Sequence, residues 1–435
     1  MTMRILALLF GFDPRTMRIK TEIMAGITTF LTMSYILAVN PDILSAASMD
    51  KGAVFTATAL SAAIATLLMA VVAKLPFALA SGMGLNAFFA FTLVQGMGYS
   101  WQEALTAVFV EGLVFILLTV FNVRELIVNA IPACLRQAIS VGIGLFIAFI
   151  GLKNAGIVVS DPVTFVTLGK FTPSVILAIS GIILGGVLMA KRVKGALFYV
   201  IVICTLIGIP LGITRLPENF SPIAVPHSLS PVFFKFDFRS ILAPDMLIAI
   251  FSLIFMDIFD TLGTLVGTAN KAGMVDAKGK IPRIKQALLS DALGTTVGAV
   301  LGTSTTTTYA ESAAGIAEGG RSGVTAFTVS LLFLISLFFS PLFLLVPGVA
   351  TAGVLVMVGV FMFDSVVKIN FGDITEVLPA FITIIMMPLT YSIAEGIVLG
   401  MLSYALLKIL SGKFRDLNLV MYILTVLFML KYVFA

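Results

Sequence analysis

Residues 302–309 read Gly-Thr-Ser-Thr-Thr-Thr-Thr-Tyr and lie between long apolar runs. A second stretch, residues 76–84, reads Pro-Phe-Ala-Leu-Ala-Ser-Gly-Met-Gly and also lies between apolar runs. Both compositions predict extended chain that becomes helical only afterwards. Irregular backbone at membrane depth is tolerated only where protein or a cavity satisfies its N–H and C=O groups. These two stretches therefore decide the fold, provided that the apolar runs around them are membrane spans.

The composition indicates that they are. The 435 residues carry 27 basic and 22 acidic side chains, so that 11% are charged and 59% are apolar, and the mean hydropathy is +1.12. Soluble domains have about 25% charged and about 45–50% apolar residues. A soluble enzyme, a nucleic-acid binder and a disordered protein are therefore excluded as descriptions of the whole chain. The sequence predicts a polytopic membrane protein.

The counts of reactive residues exclude several kinds of site. Cys134 and Cys204 both lie in apolar runs, which gives no disulfide framework. The single histidine, His227, lies in a proline-rich loop and forms no cluster for zinc or haem. The net charge of +5 is carried by loops. We expect no cofactor, no metal and no nucleic-acid partner.

Seven candidate spans lie on each side of a polar interval, and a span needs about 20 mostly apolar residues. The predicted fold class is an all-α polytopic membrane protein with 14 transmembrane segments. The predicted divisions are a cytoplasmic N-terminal leader (1–20), a first repeat with spans 1–7 (21–213), an extracellular or periplasmic connecting loop (214–244), a second repeat with spans 8–14 (245–413) and an apolar C-terminal segment (414–435). We favour an interfacial position for that last segment over a fifteenth span.

The basic residues predict the orientation. With the N-terminus inside, basic residues on the cytoplasmic side outnumber those outside by about three to one. We therefore expect a multi-pass protein of the plasma membrane (the inner membrane in bacteria) with a cytoplasmic N-terminus.

The two halves share a sequence pattern. Residues 131–133 (Ile-Pro-Ala) match 346–348 (Val-Pro-Gly), and residues 144–146 (Gly-Leu-Phe) match 359–361 (Gly-Val-Phe) at the same offset. An odd number of spans per half inverts the second half, which is the plan of secondary transporters with a midplane site between broken helices. The alternative is that the Gly-rich and Thr-rich stretches only allow helices to pack closely.

Carboxylates inside apolar spans are candidate functional residues. Asp257 and Asp260 lie three residues apart on span 8, Glu311 follows the Thr-rich stretch of span 10, and Asp291 lies near the start of span 9. Asn86 occupies the turn of span 3 that corresponds to Glu311. No basic residue lies at matching depth, and repulsion in a low dielectric favours a proton on at least one carboxyl near pH 7. The interpretation is proton coupling, with a structural polar cluster as the alternative.

Other side chains are less informative. Glu111 has no partner that the sequence reveals, and helix–helix hydrogen bonding explains it as well as function does. Phe77, Phe88 and Phe89 lie beside the broken spans, so that they are candidates, together with Tyr309, for stacking on a flat ligand.

Four runs resemble one family, the AzgA-like purine permeases of the nucleobase–cation symporter superfamily. The runs are Glu-Ile-Met-Ala-Gly-Ile-Thr-Thr-Phe-Leu-Thr-Met-Ser-Tyr-Ile (22–36), Ala-Ser-Gly-Met-Gly-Leu-Asn-Ala-Phe-Phe-Ala (80–90), Asp-Ile-Phe-Asp-Thr-Leu-Gly-Thr (257–264) and Thr-Thr-Thr-Thr-Tyr-Ala-Glu-Ser-Ala-Ala-Gly (305–315). The resemblance covers about residues 15–430. It implies a 7+7 inverted repeat with a core domain (spans 1–4 and 8–11), a gate domain (spans 5–7 and 12–14) and short mid-membrane strands in spans 3 and 10.

The resemblance also implies roles for individual residues. Substrate binding is implied for Asn86, Asp257 and Glu311, with Tyr309 and Ala310 beside the glutamate. Proton coupling is implied for Asp260, Glu311 and Asp291.

The predicted function is a transporter, not an enzyme, that imports purine bases (hypoxanthine, guanine and/or adenine) with protons, with a homodimer as a possible assembly. Sodium coupling remains an alternative. An anion carrier of the sulfate or bicarbonate type shares this fold, but three carboxylates argue against it. An aspartyl enzyme is disfavoured because Asp257 and Asp260 share one helical turn. The sequence leaves open which purine is preferred.

Overall fold

The protein forms a bundle of membrane helices in a computed structural model that describes residues 2–121, 132–217, 220–271, 274, 281 and 283–434. In this part of the chain, eight helices are long and apolar enough to cross a membrane. They are spans 1, 2, 4, 5, 6, 11, 12 and 14, at Ile19–Ser45, Lys51–Ala73, Trp101–Val120, Ala133–Asn154, Pro173–Ala190, Gly323–Leu344, Gly348–Lys368 and Ile393–Leu410.

The other predicted spans are shorter or more polar helices. They are span 3 (Met83–Gly96), span 7 (Ala196–Gly208), span 8 (Pro244–Lys271), span 9 (Ile284–Leu301), span 10 (Ser312–Ala317) and span 13 (Ile374–Leu389). Further helices lie at the two ends of the chain, over Thr2–Phe10 and Leu419–Phe434. The predicted all-α polytopic architecture is confirmed.

Polar side chains fix where several spans begin. Asp50 accepts a hydrogen bond from the Ala53 amide at the start of span 2, and Ser100 forms a capping box with Glu103 at the start of span 4. These caps satisfy amides that have no partner within the helix. Capping side chains therefore mark where these two spans begin.

The predicted extended stretches are two short strands that pair with each other. Strand β1 (Leu79–Ser81) precedes the helix of span 3, and strand β4 (Thr306–Thr308) precedes that of span 10. They are antiparallel, with Ala80 opposite Thr307. Strands β2 (Val158–Asp161) and β3 (Phe165–Leu168) form a separate hairpin between spans 5 and 6.

The inverted repeat is visible where spans 5 and 12 cross. A Cβ atom on Gly144 would lie 2.8 Å from the carbonyl oxygen of Gly359, and one on Gly359 would lie 2.5 Å from the carbonyl oxygen of Gly144. These glycines match each other at the sequence offset of the two halves, so that equivalent positions touch across the pseudo-twofold axis. Ile131, which belongs to the same match, lies outside the described residues.

The helices pack in two groups. Spans 5, 6, 7, 12, 13 and 14 contact one another, whereas span 9 packs on spans 2 and 4, and span 11 packs on spans 1 and 2. This grouping is the predicted division into gate and core. The connecting loop covers one end of the core, because Val232 is buried against Gly302 and the Asp237 amide donates to the Thr106 hydroxyl at 2.8 Å.

Candidate substrate site between the two strands

A cavity of about 100 Å³ lies where the strands end and the helices of spans 3 and 10 begin. Both repeats border it, together with residues of spans 1, 5, 8 and 12. The lining residues are Tyr35, Gly82, Met83, Gly84, Leu85, Ile143, Met256, Asp260, Thr264, Thr307, Thr308, Tyr309, Ala310, Glu311, Val358, Phe361 and Met362.

Along the outer edges of the two-stranded sheet, threonine hydroxyls form hydrogen bonds with backbone groups that have no neighbouring strand. The Thr66 hydroxyl lies 3.0 Å from both the amide nitrogen and the carbonyl oxygen of Leu79. On the other strand, the Thr295 hydroxyl donates to the carbonyl oxygen of Thr306 at 2.8 Å. These contacts satisfy backbone groups that the membrane interior would leave without water.

Glu311 borders the cavity and is held by span 1. The Tyr35 hydroxyl donates to Glu311 Oε1 at 2.6 Å, and Tyr35 is 2% exposed. Tyr35 lies at the break in span 1, between the helices Ile19–Met33 and Ile36–Ser45. The contact fixes one carboxylate oxygen of Glu311 at the edge of the cavity. Sequence reasoning missed this residue, although a tyrosine hydroxyl in the middle of an apolar span is a signal that requires a partner.

The two aspartates of span 8 have different surroundings. Asp260 borders the cavity and is partly exposed, whereas Asp257 is fully buried and does not border it. Residues three apart on a helix point about 60° away from each other. That difference directs Asp260 toward Glu311 and Asp257 toward span 9.

Asp257 and Asp291 meet behind the strands at one hydroxyl. Thr261 Oγ1 lies 3.1 Å from Asp257 Oδ1, 3.1 Å from both carboxylate oxygens of Asp291, and 2.7 Å from Thr307 Oγ1. All four side chains are buried. Because Thr307 also borders the cavity, its side chain links the buried pair Asp257 and Asp291 to the cavity.

Asn86 and Glu111 lie at the beginning of the second broken stretch. The Ser304 hydroxyl donates to Asn86 Oδ1, and the Thr305 hydroxyl donates to Glu111 Oε2 at 2.7 Å. Neither Asn86 nor Glu111 borders the cavity. Thr305, which lies on the chain that leads into β4, is thus the partner of Glu111 that the sequence did not reveal.

The aromatic rings also divide into two sets. Phe77, Phe88 and Phe89 are fully buried among other apolar side chains and do not border the cavity. Tyr309 and Phe361 do border it, as does Tyr35. The Tyr309 hydroxyl donates to the carbonyl oxygen of Ser81 at 2.6 Å, which ties the two strands together. A stacking role for the three phenylalanines stays a prediction.

The lining determines what the cavity can bind. Its charged members are Asp260 and Glu311, and the lining contains no lysine or arginine. The carboxylates accept hydrogen bonds, while the first turn of the helix of span 3, at Met83–Leu85, supplies backbone N–H donors. In the described part of the chain, no group of three or more His, Cys, Asp or Glu side chains is placed to hold a metal. The arrangement suits a small polar molecule that both donates and accepts hydrogen bonds.

Solved structures share the fold. The transmembrane domain of the cyanobacterial bicarbonate transporter BicA superposes with a TM-score of 0.65 at 17% identity, covering 89% of this chain and 98% of that one. The murine anion transporter Slc26a9 in its inward-facing state gives 0.63 at 12% identity, covering 95% and 72%. At such identities the likeness concerns the fold alone.

Curated relatives are much more similar in sequence. A permease of Methanocaldococcus jannaschii is 48% identical, covering 100% of this chain and 99% of its own length. The adenine permease AdeP of Escherichia coli is 46% identical (95% and 93% covered). The guanine/hypoxanthine permease PbuG of Bacillus subtilis is 44% identical (98% and 99% covered).

A family model described as "Permease family" matches residues 20–399. This range contains β1 and β4, every residue that borders the cavity, and all fourteen spans except the first residue of span 1 and the larger part of span 14. The protein is therefore a membrane transporter, and the chain belongs to the xanthine/uracil permease family.

Proposed function

We propose that this protein imports purine nucleobases together with protons across the plasma membrane. The relatives named as adenine and guanine/hypoxanthine permeases support the substrate class, since they match nearly the whole chain at 44–46% identity. The observation that carries the proposal is the cavity itself. Two carboxyl groups and a helix start border one small space without a basic side chain in its lining.

A purine base fits this chemistry. It is flat, neutral near pH 7, and surrounded by N–H donors and acceptor atoms. Glu311 Oε2 and the Asp260 carboxyl accept from ring N–H groups, and backbone N–H groups at Met83–Leu85 meet a carbonyl or ring nitrogen. An analogue without that hydrogen-bonding edge leaves the polar groups of the site unpaired and is rejected.

The predicted substrate residues that do not border the cavity act through the strands. Asn86 holds Ser304, and Asp257 holds Thr261, which contacts Thr307. In this proposal Asn86 and Asp257 set the position of β4, while Tyr309, Ala310 and Glu311 meet the base.

Proton coupling follows from the same two carboxyl groups. Asp260 and Glu311 border one cavity in a low-dielectric environment, where repulsion favours a shared proton. In this proposal Asp291 and Asp257 are two further buried carboxyl groups that can take up a proton. Coupling requires that the protonated, substrate-loaded state favour the inward transition, because a ligand with equal affinity for both states drives nothing.

Orientation and assembly complete the proposal. The N-terminus is cytoplasmic, the core (spans 1–4 and 8–11) moves against the gate (spans 5–7 and 12–14), and the gate is the surface for a homodimer. The residue ranges of the leader, the two repeats, the connecting loop and the interfacial C-terminal segment are those predicted from the sequence.

The test is uptake of radiolabelled hypoxanthine in cells that lack purine transport. Cold adenine, guanine, xanthine or uracil competes in excess, with and without a protonophore and with sodium replaced by choline. We expect uptake that only purines inhibit and that the protonophore abolishes. Uptake that depends on sodium instead contradicts proton coupling, and transport of bicarbonate or sulfate without uptake of any base contradicts the substrate class.

Asp260→Asn tests the coupling residue. We expect the variant to lose accumulation against a gradient while it still exchanges labelled for unlabelled base, because the amide keeps the shape of the site but carries no titrating proton. Asp364→Asn, at an exposed position near the end of span 12, is the matched control. Concentrative uptake by Asp260→Asn at the control level removes Asp260 from the coupling mechanism.

A further inference from the structure

A second and larger cavity lies between spans 1, 7 and 11. It has a volume of about 440 Å³, and aliphatic and aromatic side chains form most of its wall. Its wall includes Phe30 and Ala38 of span 1, Ile201 of span 7, and Leu332 and Phe343 of span 11. The three spans belong to both helix groups, so that this crevice separates the core from the gate.

The crevice has a buried floor and an exposed mouth. Tyr35, Ala38 and Ile201 form part of its floor and are 2–3% exposed. Leu206 (58% exposed) and Ile335 (43%) are at its mouth. The mouth therefore opens sideways, on the outer surface of two membrane helices.

Two of the three hydroxyls of the wall are directed elsewhere, and the third, on Thr205, has no hydrogen-bond partner in the described part of the chain. The Tyr35 hydroxyl donates to Glu311, and the Ser336 hydroxyl donates to the carbonyl oxygen of Phe333 at 2.6 Å. A water molecule needs two to four polar partners, and apolar cavities of this kind stay dry or take apolar guests. Water is therefore a poor occupant of this space.

The surroundings of the mouth identify the guest. Leu206 and Ile335 lie on membrane spans, where the medium in contact with an exposed apolar side chain is lipid hydrocarbon. We propose that the crevice binds an acyl chain of a membrane lipid, whose end reaches the floor at Tyr35 and Ala38. Hydrocarbon in this position restores the packing contacts that an empty space of 440 Å³ would forfeit.

The acyl chain and the substrate cavity share one wall. Tyr35 borders both cavities: its hydroxyl donates to Glu311, and the same residue forms part of the crevice floor. A lipid tail in the crevice therefore supports the side chain that holds Glu311. The lipid site itself is independent of which substrate the protein carries.

The experiment uses the full-length protein in vesicles of phosphatidylethanolamine and phosphatidylglycerol. A small fraction of the lipid is phosphatidylcholine with a diazirine at the end of one acyl chain. After illumination, peptide mass spectrometry maps the adducts. We expect adducts on the floor residues Tyr35, Ala38 or Ile201 as well as on the exposed Leu206. Labelling of Leu206 without any floor residue overturns the proposal, because it describes ordinary lipid contact.

Ala38→Phe fills the floor and should abolish adducts on Ile201 while Leu206 stays labelled. Ala190→Phe, at the exposed end of span 6, is the control that should leave the pattern unchanged. The melting temperatures of both variants check folding, and Ser336→Phe is the second filling variant if Ala38→Phe does not fold. Unchanged floor labelling in a folded filling variant contradicts the site. Cross-links between two copies of the Leu206→Cys variant, with no lipid adduct on the floor, assign the crevice to a second copy and also overturn the proposal.

Discussion

The two strands at the centre of the molecule have the same geometry and opposite chemistry. Strand β1 and its continuation, residues 79–84, carry small and apolar side chains, whereas β4 and its continuation, residues 306–311, carry hydroxyls and a carboxylate. Each strand precedes a helix that starts beside the cavity. An inverted repeat thus duplicates the backbone without duplicating the function of its side chains.

The first strand contributes shape. A Cβ atom on Gly82 would lie 2.7 Å from Thr307 Cγ2, and one on Gly84 would lie 2.6 Å from Ile143 Cγ2. Both distances are too short for a real contact, so that Gly82 lets the first half approach the second closely, and Gly84 lets span 3 approach span 5 within the first half. The second strand and its continuation carry the polar groups, with Glu311 at the cavity and hydroxyls that contact buried carboxylates.

The largest effect is expected for Glu311→Gln. The amide is neutral and presents N–H groups where the substrate needs an acceptor. Losing a hydrogen bond to a charged group costs up to about 3 kcal/mol, or roughly a hundredfold in Kd for the purine. Isothermal titration with purified protein measures it. Glu376→Gln, on span 13 away from the cavity, should bind as the unmodified protein does, and equal affinity in the two variants would mean that β4 does not supply the binding chemistry.

Gly82→Ala tests the role of shape in the first half. The added methyl group clashes with Thr307 Cγ2, and overpacking costs about 1–3 kcal/mol, so that we expect affinity to fall by roughly tenfold or more. Adding Thr307→Ser removes the clashing methyl and keeps the hydroxyl that contacts Thr261. The double variant should recover affinity in a double-mutant cycle. Additive losses would show that the two strands do not interact at this point.

Tyr35→Phe should have a smaller effect, since it removes one donor and keeps the ring. Glu311 then loses a hydrogen bond, and its carboxylate becomes free to rotate. We expect this change to raise KM by about tenfold with little change in the maximal rate. Uptake kinetics separate the two parameters. Tyr199→Phe, on span 7 and partly exposed, is the control. A fall in maximal rate at unchanged KM would contradict a positioning role.

The smallest effect is expected for a carboxylate outside the membrane. Asp373 begins span 13, and the hydrogen bond from Lys413, followed by those from the hydroxyl and amide of Thr375, lowers the pKa of its carboxyl below the ordinary value. The same contact raises the pKa of Lys413. The aspartate contribution to stability is complete above its unfolded pKa and is lost as the pH falls through the folded one. The lysine contribution is complete below its unfolded pKa and is lost as the pH rises through the folded one.

Asp373→Asn should therefore lower the melting temperature only slightly at neutral pH, and less still in high salt, because the pair is exposed and screened. The difference from the unmodified protein should vanish at acidic pH. A thermal-shift series over pH measures it. A loss of purine binding as large as that of Glu311→Gln would contradict the distinction between surface and cavity carboxylates.

The sequence predicts the two strands because their composition conflicts with the surrounding apolar helices. Gly, Pro and consecutive Thr are poor helix formers, and the spans around them need no such residues, so that residues 76–84 and 302–309 stand out. The pairing of equivalent spans is likewise predictable from the match of Gly144 with Gly359.

The contacts within the site are not predictable from spacing. Tyr35 and Glu311 are 276 residues apart, and nothing local to either indicates the other. The roles of Asp257 and Asp260 depend on the rotation of span 8 about its own axis, which three-residue spacing leaves open. The hydroxyl run reads as one feature in sequence, yet Ser304, Thr305 and Thr307 contact three different partners.

The ribbon of β1 and β4 has a consequence for how the protein is made. Tyr309 donates to Ser81, and 228 residues separate them. At about 5–20 residues per second of synthesis, the second strand emerges roughly 10–45 s after the first. The Leu79 amide can pair meanwhile with Thr66 of the same half, but the Gly82 amide at the end of β1 still lacks the Thr305 carbonyl oxygen, to which it donates in the folded protein. The hydrogen bonding of the first half is therefore completed only when the second half has been synthesised.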